Sequence, residues 1–139
     1  PPFQLAYPAG CSKSDLDTRL PQQVMSMKTL DEDRLTAFVV DVETRIDLKD
    51  FGPNFYLPKF KALTPSASDI RIISNKEIVL KGNVRAYRID ITFRYDAWPI
   101  NLYIVVAQRQ NKFVYVAVSG WAGHSMDDEI KAAESLSFK

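Results

Sequence analysis

The residues best equipped for chemistry gather late in the chain, at His124, Asp127, Asp128 and Glu129. His124 is the only histidine, and Asp128 follows four positions later, a spacing that could place both ligands on one helical face around a metal. The same acids have a simpler use at a helix start, where they stabilise the positive end of the dipole without any metal. We favour that second use. Nucleophilic catalysis needs a base beside the nucleophile and a third group to orient the base. Cys11, the only cysteine, stands at the opposite end of the sequence from His124. Gly10, Gly52, Gly82, Gly120 and Gly123 lack the spacing of a phosphate-cradling loop. Asp15/Asp17 and Asp31/Asp33 read as solvated turn residues. The expectation is therefore no enzyme, no cofactor and no metal site.

The aromatic residues suggest binding instead. Trp98 and Trp121 each end a strand pattern, Trp98 beside Pro99 in an expected loop. Two roles are open to them: closing the end of the core, or anchoring a protein partner from an exposed rim. If three consecutive hairpin strands carry them, the first and third run parallel, and both indoles reach one end of the sheet. His124 and the acidic helix start would lie beside them. The candidate partner site is thus Trp98, Trp121 and His124. The alternative is a small-ligand or metal-binding carrier using Gly120–Glu129, or an apolar pocket between sheet and helix.

Composition excludes several classes. The 139 residues suit one domain, 1–139, able to bury a core without disulfide or metal. Lys plus Arg is 18 and Asp plus Glu is 17, a net charge of +1 with the basic residues scattered, which argues against nucleic acid. Apolar runs such as Val114–Val118 fall far short of the roughly 20 residues of a membrane-spanning helix. Ala9-Gly10-Cys11-Ser12 has the outline of a lipoprotein cleavage box, but Pro8 and the alternating Phe3–Tyr7 do not suit one. We read Cys11 as a loop or strand-end thiol. Pro1-Pro2-Phe3 reads as a trimmed start, so a removed signal or a lipidated N-terminus is the route to any membrane association.

These residues need a scaffold, and its pattern is legible. Tyr87, Ile89, Ile91, Phe93 and Tyr95 alternate with Arg88, Asp90, Thr92 and Arg94, predicting a half-buried strand over Arg85–Tyr95. Asp96-Ala97-Trp98-Pro99 predicts a loop, Ile100–Gln108 a second strand, Gln110-Asn111-Lys112 a turn, and Phe113–Trp121 a third strand. Gln23–Leu30 and Leu35–Arg45 predict an earlier hairpin around Asp31–Arg34, with Phe38, Val40 and Val42 facing the core. Ile70–Ile73 and Glu77–Leu80 predict two short strands, and Lys81-Gly82-Asn83 the turn that follows. Pro53–Leu63 predicts a helix that Pro58 must break or restart. Ser125, with Asp128 three residues on, predicts a capped helix running to Leu136 with Met126, Ile130, Ala133 and Leu136 on its buried face. The expected core adds Ile104 and Val116. The order β-β-β-α-β-β-β-β-α is an α+β arrangement, an antiparallel sheet flanked by helices.

Three stretches carry a family resemblance. Ile46-Asp47-Leu48-Lys49-Asp50-Phe51-Gly52-Pro53 resembles the D-F-G helix opening of the PsbP family. Lys112-Phe113-Val114-Tyr115-Val116 resembles its K-x-Y strand, and Glu134-Ser135-Leu136-Ser137-Phe138 its S-x-S-F ending. Tyr7-Pro8-Ala9-Gly10-Cys11 departs from the family's aromatic P-x-G-W turn by lacking the tryptophan. The resemblance spans about Leu35 to Phe138 and carries over no binding residue. It implies a non-catalytic protein-binding or assembly module, exported to the periplasm or a thylakoid lumen. Photosystem II subunits and assembly factors and envelope lipoproteins are the family roles it points to. Such a spread of roles on one fold leaves function to be argued from the site.

Overall fold

Alternation along most of Val84–Tyr95 (β6), and residues buried on both faces in the second half of Trp98–Arg109 (β7) and from Phe113 to Val118 in Lys112–Trp121 (β8), build the centre of a sheet. The computed structural model describes residues 3–8, 10–13, 23–28, 33–41 and 46–138. Within these, seven strands form one antiparallel sheet in the order β2-β3-β4-β8-β7-β6-β5. Here β2 is Ser12–Lys13, β3 Gln23–Lys28, β4 Arg34–Asp41 and β5 Ala67–Leu80. Phe3–Gln4 (β1) pairs separately with Ser137–Phe138 (β9). Val42, the Asp31–Glu32 turn and the Asp15/Asp17 pair lie outside the described residues.

β8 shows why the sheet needs cover on both sides. Phe113, Tyr115 and Ala117 join one buried cluster, and Val114, Val116 and Val118 the other. A strand buried on both faces reads as continuous apolar sequence, not as alternation. The first face is covered by the segment Leu48–Leu63. It opens with a 3-10 turn at Leu48–Asp50, passes through a π-helical stretch at Phe51–Tyr56, and ends in an α-helix at Leu57–Leu63 (α1). Pro58 lies in the first turn of α1, where the π-helical stretch passes into an α-helix, so the helical path changes there without breaking. Gly52 explains the D-F-G stretch. A Cβ at this position would sit 3.1 Å from Ile89, so glycine lets the helical segment press against β6. Phe51, fully buried, then packs its ring 5.0 Å from both Phe113 and Tyr115.

The second face is covered by Asp127–Glu134 (α2) and the β1–β9 pair. Ser135 ties them together, its Oγ accepting from the Ala6 amide at 2.7 Å. Arg88, on this face of β6, bonds Asp90 at 2.9 Å and reaches Glu134 of α2 at 3.0 Å.

Five expectations change. Ile70–Ile73 and Glu77–Leu80 are parts of the 14-residue β5, whose register shifts between Ser68 and Arg71 and between Ile72 and Ser74 hide its alternation. The Asp96–Pro99 loop shrinks to Asp96-Ala97, because Trp98 and Pro99 already pair with Tyr95 and Arg94. Asp96 takes a left-handed φ of 53°, which closes the turn in two residues. The last helix starts at Asp127 and is capped by Met126, although Ser125 Oγ still accepts from the Asp127 amide at 3.3 Å. Ile130 is only partly buried, whereas Leu136, just past the helix end, is fully buried. The short β2 and β9 add to the expected order.

Candidate functional site

Alternation along β7 puts Trp98 on the same face as Leu102 and Ile104, and alternation along β8 puts Trp121 on the same face as Tyr115 and Ala117. Register brings the two indoles together, since Ile100 lies opposite Trp121 and Trp98 is two residues before Ile100. Their ring centroids are 4.6 Å apart at 73°, an edge-to-face pair. Leu48–Leu63 covers the middle of this face and leaves the strand ends bare. Trp98 is therefore 56% exposed, Trp121 43% and the neighbouring Tyr95 46%. Pro99 fixes the rim, its carbonyl accepting from the Ala122 amide at 3.0 Å, while Arg94 Nη2 donates to the Ala97 carbonyl at 3.1 Å.

His124 is not part of this pair. Its Nε2 lies 3.0 Å from both carboxylate oxygens of Asp33, which is 1% exposed, just before β4. Gly120 makes room for that contact. A Cβ there would collide with the Asp33 carboxylate and the Met126 sulfur. Gly120 alternates with Trp121, so Asp33 and His124 belong to the opposite face of the strand. His124 thus faces a carboxylate 91 residues away instead of joining Asp127 and Asp128. Asp127 and Asp128 are exposed in the first turn of α2, and Glu129 is buried. No group of three His, Cys, Asp or Glu side chains converges as a metal site among the described residues. Cys11 is half-buried, and burial, with the Glu129 charge as a lesser cause, raises its thiol pKa above the ordinary value. A thiol shifted that way is a poorer nucleophile at neutral pH.

A cleft of about 410 Å³ lies on the tryptophan-bearing face, between the helical segment and β4, β8 and β7, where a pocket between sheet and helix was one of the alternatives. Its walls include Phe38, Phe60, Phe93 and Tyr115, with Arg34 from β4 and Lys59 from α1 among its lining. Tyr56 and Tyr115 meet edge-to-face at 5.8 Å. Burial pushes both phenols well above the usual range, with the neighbouring Tyr115 a second cause for Tyr56. Each residue is unremarkable in sequence. Only the β4–β8 register, with Thr36 opposite Ala117 and Phe38 opposite Tyr115, assembles the floor.

The architecture matches the solution structure of cyanobacterial PsbP from Synechocystis sp. PCC 6803. The TM-score is 0.77 at 13% identity, over 99% of this chain and 87% of that one. The chain has a PsbP-like fold. LpqN of Mycobacterium tuberculosis, involved in cell envelope biogenesis, shares that fold with a TM-score of 0.62 at 13% identity, over 97% of this chain and 82% of LpqN. A Bacteroides thetaiotaomicron crystal structure matches with a TM-score of 0.61 at 8% identity, this chain spanning 45% of it. At these identities the likeness to PsbP is one of fold. No family model matches the sequence, and no curated protein does. Within the PsbP-like fold the three resembling stretches have structural jobs: helix contact at Gly52, core aromatics at Phe113 and Tyr115, and the β1–β9 clasp at Ser135–Phe138.

Proposed function

We propose that this chain is a non-catalytic protein-binding or assembly module of the cell envelope or a thylakoid lumen, docking through Trp98 and Trp121. The observation that carries the reading is the exposed indole pair. Large aromatics held rigidly at a rim lose little conformational freedom on binding, which makes them effective anchors. Both faces of the sheet have complete cores without them. The nucleophile-and-base chemistry gains no support from the Cys11 thiol, whose pKa burial raises, while His124 lies against Asp33. The fold's company, cyanobacterial PsbP and the envelope protein LpqN, supports the compartment in this reading. No helix among the described residues is long and apolar enough to cross a membrane.

Affinity capture from the envelope or lumen fraction of the source cells, followed by reconstitution with the purified partner, tests the proposal. The wild type should form a stoichiometric complex. Trp98→Ser/Trp121→Ser, checked for an unchanged circular dichroism spectrum, should weaken it at least tenfold. A folded double variant that binds the same partner undiminished would exclude this rim.

A further inference from the structure

We propose that the cleft between α1 and the sheet is a second binding site, for a single-chain amphiphile with an anionic head, of the fatty-acid type. It is independent of the protein-docking reading above, since neither tryptophan lines the cleft. The volume of about 410 Å³ falls in the range of small-ligand sites, which are concave, mostly apolar and carry a few placed polar groups. Phe38, Phe93 and Tyr115 form a wall rooted in the sheet core, so the apolar part exists before any ligand arrives. Phe60 is only partly buried and Leu63 is 49% exposed, leaving one side of the cleft open to entry along α1.

Charge selects the head group. Arg34 and Lys59 line the cleft from opposite walls, and no Asp or Glu is among its lining residues. Arg34 is exposed at the start of β4, opposite Ser119, which also lines the cleft. A carboxylate there could accept from the guanidinium while its chain lies over Ala117 toward Phe93. The Lys59 ammonium sits 4.8 Å over the Phe55 ring, which holds it near the apolar wall. A cationic amphiphile would meet two like charges, and a neutral one would forgo the charge-assisted bonds. Tyr115 keeps its proton because of burial, so it offers the ligand a neutral wall and adds no negative charge.

Isothermal titration with dodecanoate below its micelle concentration tests this. Dodecyltrimethylammonium supplies the same tail with the opposite charge, and acetate the charge without the tail. Saturable one-to-one binding of dodecanoate alone is expected, about tenfold weaker in Arg34→Gln. That position is exposed, so the variant should fold. Ala117→Leu, filling the floor, should abolish binding, with thermal melting used to confirm its fold. The proposal is overturned if dodecanoate gives no saturable binding, or if the cationic amphiphile binds as tightly. Undiminished affinity in Arg34→Gln also overturns it. So does sedimentation with phosphatidylglycerol vesicles without dodecanoate binding, which would point to a membrane surface instead.

Discussion

Tyr56 and Tyr115 show how far a residue's neighbours set its chemistry. In the unfolded chain each phenol ionises near pH 10. In the folded chain burial keeps both protonated beyond that point. Above about pH 10 the unfolded state therefore releases protons that the folded state retains, and stability falls as pH rises. An alkaline spectrophotometric titration should show these two phenols ionising only as the near-ultraviolet dichroism collapses. Ionisation of all six tyrosines near pH 10 with the fold intact would contradict the burial. Of the candidate site, Trp98 and Trp121 were legible because strand ends and hairpin reversals follow from local pattern. The Asp33 contact of His124 was not. It joins residues 91 apart across a gap that only Gly120 leaves open, and neither fact has a periodic signature.

At the scale of elements, legibility tracks the regularity of the hydrogen-bond ladder. β6 keeps one register with β7 from Ala86 to Tyr95, and its alternation could be read directly. β5 has two register shifts, and each moves later side chains to the other face, so one strand reads as two fragments. Pro99 reads as a loop residue, yet near the start of a strand its missing N–H is tolerated while its carbonyl still pairs. For α2 the spacing of apolar residues showed the buried face, but the decisive anchor lies past its end. Leu136 is fully buried between α2 and the sheet. Leu136→Ala should cost about 2–5 kcal/mol in urea unfolding, since the site has little freedom to collapse. A loss under about 1 kcal/mol would mean that α2 is held mainly by other contacts.

For the whole molecule, the sheet's two covered faces divide the labour. One face is closed by α2 and the β1–β9 clasp, with the His124–Asp33 contact beside them. The other is only partly roofed by Leu48–Leu63, and what the roof leaves open is the cleft and, beyond it, the tryptophan rim. β5 leaves a long edge on the sheet, and its two bulges and exposed Arg71, Lys76 and Glu77 discourage edge-to-edge pairing. On the proposed reading, binding is thereby directed to the open face. Trp98 and Trp121 are proposed to form a solvent-facing anchor and not a plug for the core. Because they are the only two tryptophans, indole fluorescence reports on this rim alone. Acrylamide quenching of the dilute, folded monomer should reach both indoles, with a slope below that of a free tryptophan derivative but well above that of a buried indole. Two indoles shielded from acrylamide in that monomer would contradict the anchor role.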